Sequence, residues 1–135
     1  MKTFELKIAA IRRDFYSGPC ESLVFTTLDG LVGILADHVP TVYAISAGEL
    51  RFTVNGETQI LAVGDGVAKV SGSQVIILVD FAELASEIDE VRAREAAERA
   101  EARIKARQDA RTVAYAEAAL SRAIARLHVV SKLKH

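Results

Sequence analysis

The chain has 135 residues, half of them hydrophobic, with a formal net charge of −1 and a single cysteine. That size fits one compact domain with an appendage, and the apolar half supports a packed core rather than global disorder. The near-neutral charge excludes bulk attraction to nucleic acid or anionic lipid, and the longest apolar run, Val75–Val79, falls far short of the roughly 20 residues of a membrane span.

Glycine and proline divide the chain. All 8 Gly and both Pro lie before residue 73, whereas residues 81–135 hold 15 Ala. Turn formers on one side and helix formers on the other imply two regions of different structural class. Phe4, Leu6 and Ile8 alternate with Glu5 and Lys7, as in a half-buried strand. Ser17-Gly18-Pro19 reads as a turn, residues 21–27 as a strand and Asp29-Gly30 as a tight turn. Gly33–Leu35 is a short strand, residues 37–40 a loop and Thr41–Ser46 a further strand. Glu49–Val54 and Glu57–Val63 flank Asn55-Gly56, the strongest short hairpin signal. Val67–Val70 and Gln74–Val79 complete a pattern that predicts a small antiparallel β-sandwich or barrel.

Beyond Asp80 the period changes. Ser86-x-x-Asp89 has capping-box form. A first helix is expected from Glu87 to about Arg107, with Val91, Ala93, Ala96, Ala97, Ala100 and Ile104 as its apolar stripe. Residues 108–112 read as a turn. A second helix from about Val113 to Val130 carries a heptad-like seam of Val113, Ala116, Leu120, Ala123, Leu127 and Val130. Two such helices joined by a short polar turn fold back as an antiparallel hairpin. Alanine seams bury little area, so at roughly 25 cal/mol per Å² the hairpin is only marginally stable alone.

The start of the chain, Met1–Glu5, shows no apolar signal stretch, and one cysteine cannot form an internal disulfide, so a cytosolic, reduced setting is expected. Cys20 with His38, His128 and His135 has no metal-ligand spacing, and no metal is expected. Phosphate-loop, dinucleotide and nucleophile-elbow motifs are absent. One constellation stands out. Asp89, Arg92 and Arg99 share a face of the first helix, and Arg122 and Arg126 share a face of the second. Antiparallel closure brings the four guanidiniums together, with no equal number of carboxylates to neutralise them. Guanidinium forks suit phosphate oxygens, so a polyphosphate is the natural ligand. On residues alone, three alternatives stay open: a helical hairpin permanently packed on the sandwich, an adaptor whose helical tail forms an intermolecular coiled coil, and a small enzyme using Cys20 or His38.

Three ordered segments carry a family resemblance. These are Met1-Lys2-Thr3-Phe4-Glu5-Leu6-Lys7-Ile8, then Gly30-x-x-Gly33-Ile34-Leu35-x-x-His38-x-Pro40, then Ile88-Asp89-Glu90-Val91-Arg92-Ala93. With residues 118–129, they make the whole chain resemble the epsilon subunit of bacterial F-type ATP synthases. The resemblance implies a β-sandwich over residues 1–84, holding the gamma subunit and the rotor c-ring, and a regulatory α-helical hairpin over 85–135. It implies a non-catalytic subunit of the central stalk, peripheral on the cytoplasmic face of the cell membrane without inserting into it, and serving ATP synthesis and proton or other ion transport. The hairpin is implied to be mobile: folded down it permits ATP hydrolysis, and extended it reaches the beta subunits and inhibits. ATP is implied as a regulatory ligand, bound without hydrolysis. Glu83, Ile88, Asp89 and Ala93 correspond to adenosine-side positions, and Arg92, Arg99, Arg122 and Arg126 to phosphate-side arginines. Members without ATP sensing remain an alternative. Gly30, Leu31, Gly33, His38 and Pro40 correspond to the rotor-ring and gamma interface. Here Leu31-Val32 and Ala36-Asp37 replace the family's usual Glu-Leu and Pro-Gly, so the acidic rotor contact is absent at residue 31.

Overall fold

Alternation builds the first strand as the sequence predicts. In β1 (Phe4–Ala10), Phe4, Leu6 and Ile8 are buried while Glu5 and Lys7 face out. The computed structural model describes residues 2–133; Met1 and His135 lie outside the described residues. The remaining strands are β2 (Arg13–Cys20), β3 (Ser22–Thr27), β4 (Gly30–Leu35), β5 (Thr41–Ile45), β6 (Gly48–Val54), β7 (Glu57–Val63), β8 (Gly66–Ser71), β9 (Gln74–Val79) and β10 (Ala82–Leu84). They form two five-stranded sheets, ordered β2-β1-β9-β8-β5 and β10-β7-β6-β3-β4. The sheets close on a core that includes Leu6, Ile8, Leu23, Phe25, Ile34, Leu50, Leu61 and Ile77. Every pairing is antiparallel except β1 with β9, which run parallel.

Several local expectations are met. Asn55 (φ 52°) and Gly56 (φ 78°) both take the left-handed conformation that a tight β6–β7 turn demands. Ser17-Gly18-Pro19 is a correction: these residues continue β2, pairing with Lys7, Leu6 and Glu5. β2 is an edge strand, and proline is tolerated there because its missing N–H costs no ladder bond. β4 also begins three residues earlier than expected, at Gly30.

The chain leaves the sandwich through a 3₁₀ turn, Ala85–Glu87, and enters α1 (Glu90–Ala106) and α2 (Ala110–Leu133). Ser86 is not the cap. Asp89 is, its side chain accepting from the Arg92 amide at 3.1 Å, so the helix starts three residues later than predicted. The interhelical turn shifts likewise to residues 107–109, with Arg107 left-handed (φ 47°). Asp109 then accepts from the Thr112 amide at 2.8 Å, and this bond holds the Asp109 carboxyl below its ordinary range.

Ala93, Ala97 and Ala100 of α1 and Ala116, Ala123 and Val130 of α2 are buried, as the seam predicts, but Val91 is exposed. A second stripe of α2 does separate work. Val129 packs with Ala62, Ala85, Ile60, Phe81 and Ile88 on the outer face of the second sheet. The hairpin is therefore folded down, with α2 seated on the sandwich. Among the described residues, no helix is long and apolar enough to cross a membrane and no cluster of His, Cys, Asp and Glu is suited to a metal ion.

Candidate functional site

The second sheet, the linker and both helices meet at a cleft of about 340 Å³, within the range of small-molecule sites. β10 contributes Glu83. The linker contributes Glu87, Ile88 and Asp89. α1 contributes Arg92, Ala93, Ala96 and Arg99, and α2 contributes Arg126. Seven of the eight residues expected to serve a nucleotide thus line one cleft. Arg122, one turn before Arg126, is half-buried but lies outside this lining.

The expectation of uncompensated arginines needs correction. Glu83, Glu87 and Asp89 share the cleft. Arg126 donates from Nε to Glu83 Oε1 at 2.7 Å and from Nη2 to Oε2 at 3.2 Å. Its guanidinium also lies 4.1 Å from the Phe81 ring centroid, a cation–π contact. Arg92 and Arg99 are exposed on α1 and face the same space. Helix spacing announces the arginines. Nothing in spacing announces Glu83 or Phe81, because only tertiary folding sets β10 beneath α2.

Arg13, another residue that sequence reasoning missed, pins the linker from across the sandwich. It donates to Ala82 O at 3.0 Å and to Glu87 Oε1 at 2.9 Å. Glu87 Oε1 also accepts from the Leu84 amide at 2.8 Å. The Arg13 bond, then the Leu84 bond, hold the Glu87 carboxyl below its usual range. A depressed folded-state value stabilises the fold above the unfolded value of about 4.5, and that contribution is lost as pH falls through the folded value. Glu87→Gln is therefore expected to lower stability above pH ~5, where the clasp is charged, and to converge with the parent at acid pH, which flattens the acid limb of the stability–pH curve. Thermal melts at stepped pH would check this; an unchanged acid limb would count against the clasp.

The interface residues separate into two groups. Gly30 and Leu31 begin β4, and Gly33 lies within it. His38 and Pro40 sit in the loop beyond its other end, after the turn at Ala36-Asp37. Leu31 is 59% exposed. His38 Nδ1 donates to Val39 O at 2.8 Å, and the ring meets the edge of Tyr43 at 6.2 Å. Cys20 is fully buried at the end of β2, and burial pushes its thiol up, away from a reactive thiolate. His38 is half-buried on a loop, and the cavity that Cys20 lines does not include it, so the cysteine–histidine enzyme reading finds no shared site.

The β-sandwich domain of the ATP synthase delta/epsilon chain matches residues 3–85, and the long α-helix domain of the same chain matches residues 86–131. The chain belongs to this delta/epsilon family. Within the family it is a bacterial F-type epsilon subunit by similarity along nearly its whole length. It is 39% identical to the ATP synthase epsilon chain of Ruminiclostridium cellulolyticum, covering 98% of each chain. It is also 39% identical to the epsilon chain of Caldanaerobacter subterraneus, covering 97% of this chain and 96% of that one. In fold it resembles a chain of the Euglena gracilis mitochondrial ATP synthase (TM-score 0.81, 23% identity), covering 98% of this chain and 82% of that one.

Proposed function

We propose that this chain is a non-catalytic part of the central stalk, coupling the rotor c-ring and the gamma subunit to the catalytic head. In this reading it inhibits ATP hydrolysis when its hairpin rises to meet the beta subunits, and ATP binding holds the hairpin down. It acts peripherally on the cytoplasmic face of the cell membrane. The observation that supports ATP sensing is the split construction of the cleft. Glu83 stands on the sandwich, Arg92 and Arg99 on α1, and Arg126 on α2. A ligand that spans them stabilises only the folded-down arrangement.

The donor set fits a nucleoside triphosphate in chemical character. Three guanidiniums suit phosphate oxygens, and Ile88, Ala93 and Ala96 supply an apolar wall. In this reading the chain's own residues bind and orient, and ATP leaves unchanged. The sandwich remains a rigid seat, and the hairpin is the two-state element. A ligand that binds one state stabilises it by RT ln(1 + [L]/Kd), about 2.7 kcal/mol at a hundredfold excess over Kd, which shifts a balanced switch almost fully.

Arg92→Ala tests the reading without touching the core, because Arg92 is an exposed residue of the first helical turn. Titration with ATP should raise the melting temperature of the parent chain, and the variant should need at least about tenfold more ATP for the same rise. Equal response of both chains removes Arg92 from the site. No response from either favours the family alternative without ATP sensing.

A further inference from the structure

Glu49 is a buried charged residue that the nucleotide reading leaves without a role; only 7% of it is exposed. It points outward from β6, under α2, not into the sandwich core. Across the sheet, Glu83 pairs with Ala62 and Ala62 pairs with Glu49, so the three stand in one row over β10, β7 and β6. Two carboxylates thus flank an alanine, about 10 Å apart at the spacing of two strands. α2 lies over this row and answers each member. Arg126 takes Glu83, and Val129 packs on Ala62. His128 Nε2 meets Glu49 Oε1 at 3.0 Å, and Lys132 Nζ lies 3.8 Å from the same oxygen. An ionised carboxylate only accepts, so the His128 Nε2 carries the donated hydrogen. His128 and Lys132 are four apart, one above the other on the helix.

We propose that α2 is seated by both carboxylates, and that Glu49 is the positioning residue which clamps the end of the hairpin without any ligand. The Glu83 contact opens onto the nucleotide cleft; Glu49 does not line it. A carboxylate covered this deeply needs cationic partners. Arg51, on the same strand, supplies one at 2.6 Å and stays with the sandwich. His128 and Lys132 arrive only when α2 docks. Leu31, Ile124 and Ala125 line an adjoining cavity of about 530 Å³ that reaches His128 and Lys132, so solvent ions reach the clamp and salt weakens it. The inference rests on the reading of the hairpin as mobile, but not on ATP.

Hydrogen exchange on the full chain without ATP tests it, with peptides from the sandwich as internal control. Glu49→Gln should speed exchange in α2 about tenfold, the size expected for losing a hydrogen bond to a charged group, and leave β1–β9 unchanged. The pair His128→Ala and Lys132→Ala, on the exposed side, should do the same, and adding Glu49→Gln to it should change little more. Salt at about 0.5 M should shrink the difference between parent and variants. Unchanged α2 exchange in Glu49→Gln, full additivity, or loosening confined to the sandwich would overturn the clamp. Adding ATP separates the two readings. If α2 exchange ignores ATP in every chain while Glu49→Gln still loosens it, the nucleotide reading fails and the clamp is supported.

Discussion

Gly66→Ala is expected to cost the sandwich about 3 kcal/mol or more, enough to leave much of the chain unfolded. A methyl group there would lie 1.9 Å from Leu78 O and 2.8 Å from Val79 Cα. Both neighbours are backbone atoms of β9, so no side chain can swing aside to make room. Gly66 is the first residue of β8 and pairs with Ile45 on one side and Val79 on the other. Relief therefore requires parting β8 from β9, at a strand that joins the two halves of its sheet. Gly33→Ala is the matched control, since nothing lies within 4 Å of the added carbon. Urea titration of both variants would show the contrast. A Gly66→Ala chain with the parent's midpoint would mean that this close approach is absent in solution.

The second large effect belongs to Arg126→Ala, which removes three contacts at once. The fork to Glu83, the stacking on Phe81 and one guanidinium of the cleft all disappear. Glu83 and Arg126 are only about two-thirds buried, at 34% and 27% exposed, so the loss in docking is discounted to about 1–2 kcal/mol. The effect on ATP is larger in kind. Calorimetry should show affinity falling by about a hundredfold, the loss of one bidentate charged contact at a partly covered site. Arg126→Lys should recover part of the docking and little of the affinity, because an ammonium keeps the charge but neither the fork nor the flat face. Wild-type affinity in Arg126→Ala would show that the guanidinium serves Glu83 alone.

Legibility in the sequence followed the range of the interaction. Asn55-Gly56 announced its hairpin because a two-residue turn is a local matter of backbone sign. Arg92, Arg99 and Arg126 could be brought together from helical spacing and one antiparallel fold-back. Pro19 misled because its acceptability depends on β2 being an edge, which is a property of the whole sheet. Ser86 and Asp89 both have capping chemistry, and the choice fell to Asp89 because Glu87 and Arg13 fix the residues before it. The row of Glu83, Ala62 and Glu49 was illegible for the same reason: three residues far apart in sequence become neighbours only through strand pairing. Eight of the ten strands were thus readable, β2 and β10 were not, the hairpin was nearly whole, and residue spacing gave only the helical side of the cleft, with Glu83 and Ile88 supplied by the family resemblance.

The parallel partnership of β1 and β9 has a consequence for how the polypeptide matures. β9 occupies the middle of its sheet, between the first strand of the chain and β8. Until residues 74–79 leave the ribosome, β1 and β2 have no edge to join, and their apolar face waits uncovered. Such distant pairing slows folding and prolongs exposure to aggregation. The hairpin follows both sheets in the chain, and its seat on β6 and β7 belongs to the second sheet, which pairs without β9, so α2 docks on a surface that precedes it.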